Sequence, residues 1–457
     1  MDALTAPRFN IMTYCLCLIL APVAAEEILL DLSGCLSLAL KQSPRLKISN
    51  HEVALAQAKL DEARSGRKPR LEIMNFAGAV TEARGNAVAS SDRITDTDDL
   101  GPFNRLEMNL IQPIYTFGKL TSYVDSALHG LDAERAKRRQ RRDELIYHVK
   151  KLYYSNLLNA DLTELLTQTR KAFAEAHDTM QAIIDGDKEA PDGEEPAMLD
   201  FVKLKVGLAQ VTYNLKRITQ AEDLTRSALK QALGLRGDSV LRIKEESLRS
   251  ESSESRNLEF YVNQTFRNRP EWQQLEAGLQ AKESLMKAAK KDFYPEVFVA
   301  VPFRYAAAGN RDDQKNPFVR DDFNFVEGGP VVGLRWQINF GKSARAEQAK
   351  EEHNILLAQR EEARSGFAVE IRKAWLGVKE MEERVTVMRK ARGAARALTA
   401  GSKAVADMGV QDLEELFESY GLYTKAQSDY LLALYEHNLA LADLSLKVGM
   451  EVTKLKY

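Results

Sequence analysis

Residues 44–71 and 270–297 are two copies of one pattern, and no other feature of the chain constrains its fold as strongly. Pro44 aligns with Pro270 and Pro69 with Pro295 at a single offset (270 − 44 = 226), and between them Leu60 meets Met286 and Ala63 meets Ala289. Proline suits the first turn of a helix and ends a helix when it comes later. Each copy therefore reads as a charged helix of about 22 residues that stops and becomes an alternating, strand-like run. The copy continues downstream: Phe117-Gly118-Lys119 matches Phe340-Gly341-Lys342, Val149 and Tyr153 match Ile371 and Trp375, and Gln210 and Tyr213 match Gln427 and Tyr430. A repeat of this length is a duplicated half-protein, not a solenoid of short units.

The N-terminus reads as a targeting segment, a signal peptide over 1–25. Arg8 precedes the apolar run from Ile11 to Ala21, and Pro22-Val23-Ala24-Ala25 offers a small-residue cleavage site. The apolar core, about 11 residues, is too short to span a bilayer as a helix. The expected mature chain starts near Glu26, outside the cytoplasm, and keeps one cysteine, Cys35. Leu32-Ser33-Gly34-Cys35 resembles a lipoprotein box, but Glu26, Glu27 and Asp31 separate it from the apolar core, so a buried helical cysteine is expected instead.

The first repeat is expected over 26–234, with strands at about 70–80 and 104–116 and a polar loop at 81–103 between them. A long helical hairpin follows. Leu106, Met108 and Leu110 alternate with Arg105, Glu107 and Asn109. No proline interrupts Gly118 to Asp185, so a helix on the order of 100 Å long is possible there. Residues 185–196 form an acidic turn before the returning helix. A linker is expected at 235–262, and the second repeat at 263–457 with strands at about 296–306 and 331–340. Val297, Val299 and Val301 alternate in the first of these, and Leu334, Trp336 and Ile338 in the second. The last helix carries residues at 3-4 spacing from Leu413 through Leu434 and Leu441 to Val448, the mark of a coiled-coil seam.

Four strands with one apolar and one wet face cannot close a barrel, and an open strand edge cannot face lipid. A bilayer-spanning sheet thus needs several chains. Leu106, Met108, Leu110, Val297, Val299, Val301, Leu334, Trp336 and Ile338 are the expected lipid face. The helices, with the chain 28 % charged, belong in water.

The whole pattern resembles the outer-membrane efflux protein family, the TolC-like trimeric ducts. The residues that carry the resemblance are Ser43-Pro44-Arg45-Leu46 and its copy Arg269-Pro270-Glu271-Trp272, together with Pro69 and Pro295. Gln112 to Gly118, Ile338 to Gly341, and Gly409 followed by a helix ending near Gly449 add to it. The resemblance implies a mainly α protein with membrane β-structure. Three chains, each giving four strands, would make a barrel of about twelve strands, continuous with a periplasmic helical tunnel. It also implies a homotrimer in outer-membrane lipid, docked to a periplasmic adaptor and an inner-membrane pump or ABC exporter. A periplasmic gate is implied six and nine residues after Gly409, at Glu415 and Glu418. The chain departs from the family at 185–196, which is longer and more acidic than the usual short turn.

Other classes fit less well. Six histidines are scattered, none with the spacing of a metal-binding helix, and Glu351-Glu352-His353 reads as a solvated face. No catalytic residue, cofactor or metal is expected. The net charge of −2 gives no reason to expect nucleic acid, and the basic run Arg135 to Arg142 reads as a solvated helix face. A periplasmic coiled-coil structural protein would explain the heptads and the signal peptide, but not four alternating runs in two pairs.

Overall fold

The computed structural model of the chain describes residues 27–84, 94–187, 198–235, 239–253, 256–311, 321–407 and 413–453. The signal peptide, most of the acidic turn, Gly409 and Asp412 lie outside the described residues.

The duplication is visible element by element. Strand β1 (Glu27–Leu30) is followed by α1 (Leu32–Gln42), α2 (Pro44–Ser65), β2 (Arg70–Arg84), β3 (Ile94–Tyr115), α3 (Lys119–Ile184) and α4 (Met198–Leu233). The second half runs β4 (Val240–Ile243), α5 (Leu258–Asn268), α6 (Pro270–Lys291), β5 (Glu296–Ala308), β6 (Phe325–Gly328), β7 (Val331–Arg335), α7 (Gly341–Asp407) and α8 (Leu413–Val448). The starts of α1 and α5, of α2 and α6, and of β2 and β5 all share the offset 226 (258 − 32, 270 − 44, 296 − 70).

The copied helices are also capped alike. The Asp31 carboxylate accepts from the Gly34 N–H at 2.7 Å, and the Asn257 side-chain amide oxygen accepts from the Phe260 N–H at 3.0 Å. Each cap satisfies a donor that the first helical turn leaves unpaired. Gly234 and Gly449 end α4 and α8 with φ of 73° and 76°. A Cβ on Gly234 would come within 3.1 Å of the Gln42 carbonyl oxygen, and one on Gly449 within 2.7 Å of Arg269. Glycine is required at both places by its backbone angle and by the close approach.

The main sheet runs in the order β2-β3-β5-β6, with β7 also on β5. Strands β6 and β7 are one strand in two pieces: both pair antiparallel with β5 in the same register, Phe303 opposite Gly328 and Ala300 opposite Val331. The break falls at Gly329-Pro330, where proline has no N–H for the ladder. Three expectations are corrected here. The fourth strand spans 325–335, not 331–340. Strand β3 begins at Ile94, so the outer part of the expected 81–103 loop is strand paired with β2. The expected linker at 235–262 contains β4, which pairs in parallel with β1, and the start of α5.

The helices pack side by side in a layer. Above, α2, α3, α6 and α7 stand side by side, and below, α4, α3, α8 and α7 do so. The largest core cluster sits at mid-height, where Leu36 and Cys35 of α1 meet Val149, Tyr153 and Leu157 of α3, Leu229 and Leu233 of α4, and Leu434 of α8. Cys35 is fully buried there, and burial pushes its thiol up to about 12. The basic run on α3 is partly a seam. Arg138 donates to Asn50 at 2.6 Å, and Arg141 to Glu52 at 2.5 Å and Ser49 at 3.1 Å, all on α2. Among the described residues no helix is long and apolar enough to cross a membrane.

Candidate functional site

Register decides which side chains share a face of the sheet, because successive residues of a strand point to opposite sides. Leu106, Met108 and Leu110 lie opposite Tyr305, Phe303 and Val301 on one flank, and Leu110 and Met108 lie opposite Leu71 and Ile73 on the other. Val297 and Val299 pair with Leu334 and Val332. One face of the sheet is thus mainly apolar, with Asn75, Asn104 and Gln112 as polar residues that register places on it. Seven of the nine residues expected to meet lipid fall on it: Leu106, Met108, Leu110, Val297, Val299, Val301 and Leu334. The other face carries Arg105, Glu107, Asn109, Arg304, Glu327 and Arg335. Arg304 pairs with Glu327 at 2.9 Å and Arg105 with Glu107 at 2.5 Å, and the Arg335 guanidinium lies 5.2 Å from the centre of the Phe298 ring.

Trp336 and Ile338 are the exceptions. The ladder ends at Arg335, so register assigns neither to a face. The buried Lys342 ammonium draws the chain out of the sheet by donating to the Gln337 and Asp292 carbonyls, both at 2.7 Å. The Trp336 indole N–H donates to the Phe293 carbonyl at 3.0 Å.

Strands turn into helices at a junction rich in charge. Lys119, the first residue of α3, meets Asp292 at 2.5 Å and Glu296 at 3.0 Å. Lys342, its repeat equivalent on α7, lies 3.6 Å from the same Asp292. Burial works against the Lys119 charge, but hydrogen bonds to the two carboxylates raise its pKa on balance, and the Lys119 bond holds Asp292 below its ordinary value. The cluster fixes the angle between sheet and helices and joins the two repeats.

At mid-height Lys150 is almost fully buried and pairs with Glu451 at 2.7 Å, tying the end of the chain to α3. Tyr154 donates to Glu251 at 3.1 Å, and Asn438 of α8 donates to the Arg249 carbonyl at 2.7 Å. These bonds strap the segment between the repeats onto the helical layer.

At the far end of α8, Glu415 and Glu418 are exposed and three residues apart, which puts them on one side of the helix. Phe417 between them packs on Phe173 of α3, ring centres 4.6 Å apart. The Thr399 hydroxyl of α7 donates to the Ser419 carbonyl at 2.9 Å. The two carboxylates therefore project from a helix end anchored on both neighbours.

Residues 35–185 match the outer membrane efflux protein family. The matched stretch is about a third of the chain, from α1 to the end of α3. No curated protein matches it. Solved structures extend the likeness over nearly the whole chain. A membrane protein from Pseudomonas aeruginosa is 17% identical, with 94% of this chain and 98% of that one covered and a TM-score of 0.74. VceC, an outer membrane protein of Vibrio cholerae, is 16% identical, with 92% and 96% covered and a TM-score of 0.72. MtrE, an outer membrane channel of Neisseria gonorrhoeae in its open state, is 15% identical, with 92% and 89% covered and a TM-score of 0.71. At such identities the likeness is one of fold. The shared fold is mainly helical with one open main sheet, and in this chain it is internally duplicated.

The junction cluster was not read from the sequence. Lys119 and Asp292 stand 173 residues apart (292 − 119), and neither residue type is unusual beside a helix end. The one available signal was the repeated Phe-Gly-Lys, at 117–119 and 340–342, which places a lysine at the same turn twice.

Proposed function

We propose that the chain is the outer-membrane duct of an efflux or secretion assembly. It passes substrate handed over by an inner-membrane pump or exporter through a periplasmic adaptor, and it works as a homotrimer. The observation that carries this reading is that the sheet and the helical layer are open on the same two sides. On one side, among the described residues, no strand pairs with the outer edge of β2, and α2 and α4 bound the helices. On the other side the edge belongs to β6 and β7, with α7 below. Both helical borders carry exposed apolar residues: Leu199, Val202, Val206 and Tyr213 on α4, and Ile355, Val369, Leu376 and Val387 on α7. An open strand edge and unmatched apolar stripes at the same borders are both satisfied by further copies of the chain around one axis.

In that arrangement the apolar sheet face meets outer-membrane lipid and the charged face lines a water-filled lumen. The helices continue the duct into the periplasm. Glu415 and Glu418 form its acidic constriction, three copies bringing six carboxylates around the axis, where crowded like charges attract cations. Membrane fractionation tests the placement. The protein should co-sediment with outer-membrane vesicles and need detergent for release; release by osmotic shock alone would contradict it.

A further inference from the structure

We propose that the junction of β3 and α3 binds an anionic glycerophospholipid of the periplasmic leaflet, with Arg67 taking the phosphate and the apolar sheet face taking the acyl chains. The inference rests on the membrane placement above.

A cavity of about 590 Å³ opens at this junction, lined by Ile114, Tyr115, Thr116, Phe117 and Leu120, with Arg67 as its one charged lining residue. Its apolar wall is not packed away: Ile114 is 59% and Tyr115 56% exposed. Tyr115 pairs with Val297, so the cavity is continuous with the apolar face of the sheet. Chains lying along that face would bring their headgroup to the cavity.

Rings mark the same level. Tyr115 meets Phe117 edge-on at 4.7 Å, and Phe117 stacks on Tyr294 at 5.3 Å. Aromatic side chains with one apolar and one wet end collect where hydrocarbon gives way to headgroups. Phe117 holds φ of 50°, a backbone region that bulky residues enter only when their surroundings impose it. The turn it makes with Gly118 keeps its ring in the aromatic stack.

The charges then select the headgroup. Lys119, Lys291 and Lys342 are committed to Asp292, Glu296, Ser122 and backbone carbonyls. Arg67 and Lys68 are exposed, have no ion pair among the described residues, and belong to the run Arg67-Lys68-Pro69-Arg70. A guanidinium presents paired donors that match a phosphate diester. Further cations beside it favour a headgroup that adds no positive charge of its own.

Native mass spectrometry of the detergent-extracted, delipidated oligomer tests this, with phosphatidylglycerol or phosphatidylethanolamine of the same acyl chains titrated back. Phosphatidylglycerol should give saturating adducts at lower concentration than phosphatidylethanolamine. The double variant Arg67→Glu, Lys68→Glu should weaken them about tenfold or more while the oligomer mass is kept. Phe117→Gly, which accepts the backbone angle freely, should keep the oligomer and weaken the adduct. Equal binding of the two lipids, unchanged binding by the charge-reversed variant, or displacement by inorganic phosphate would each overturn the proposal. So would an intact oligomer without adducts, since a neighbouring copy would then fill the cavity. A parent protein that needs no detergent for extraction would overturn the membrane placement itself, an outcome distinct from these.

Discussion

Lys119 reaches Asp292 at 2.5 Å and so ties the first repeat's long hairpin to the helix end that launches the second repeat's strand. Both side chains are partly buried, so removing one leaves the other charge poorly solvated. Lys119→Met should lower stability by about 1–2 kcal/mol, discounted for partial exposure. It should be read as a lower temperature for loss of the oligomer band on semi-native gels, and Lys119→Arg should recover most of it. Asp292 has a lowered pKa in the folded state, so its contribution is present above the ordinary carboxylate range and is lost as pH falls through the folded value. The difference between parent and Lys119→Met should therefore shrink in acid.

The two faces of the sheet should respond oppositely to charge. Met108 sits between Ile73 and Phe303 on the apolar face, and its neighbour Asn109 lies between Glu72 and Pro302 on the other. Arginine on a lipid face costs about 2–4 kcal/mol near the bilayer midplane. Met108→Arg and Leu334→Arg should each reduce the folded, membrane-inserted yield, and Asn109→Arg should not. Equal yields for Met108→Arg and Asn109→Arg would sink the assignment.

That face was legible in the sequence as far as backbone pairing follows alternation. It follows from Leu106 to Leu110 and from Val297 to Val301. It fails after Leu334, where Trp336 and Ile338 continue the alternation though Lys342 has already drawn the carbonyls around Gln337 out of the ladder. Residues 94–103 were illegible for the opposite reason: Thr95, Asp96, Thr97 and Asp98 show no alternation, yet backbone pairing with β2 continues to Ile94. The four-residue strands β1 and β4 are too short for any period to show. The acidic pair at 415 and 418 comes from counting along the family's pattern; Glu415 fits an ordinary acidic first turn, whereas Glu418 lies beyond the first turn of α8, where the helix-dipole effect fades.

Asp143 offers a pH test away from the membrane. Burial raises its carboxyl to about 6, so the folded protein holds its proton more tightly than the unfolded chain. The group therefore costs stability at neutral pH, and the cost fades as pH falls through about 6 toward 4, where both states are protonated. Asp143→Asn should stabilise the protein at pH 7.5 by about 1–2 kcal/mol after allowance for partial solvation, with no gain below pH 4. Thermal melts across that range check it; a gain that does not vary with pH would contradict it.

The acidic end of α8 should control ions. Single-channel recordings should show block by divalent cations added from the periplasmic side. Glu415→Ala with Glu418→Ala should relieve that block at an unchanged oligomer yield. If the double variant is blocked as strongly as the parent, the constriction lies elsewhere.

The central claim is that the open edges of β2 and of β6 and β7 are closed by other copies of the same chain. The mass of the detergent-extracted particle, measured by native mass spectrometry, tests it most directly. Three chains per particle, persisting on dilution, is the expected result; a predominant single chain that remains folded and membrane-inserted would contradict it.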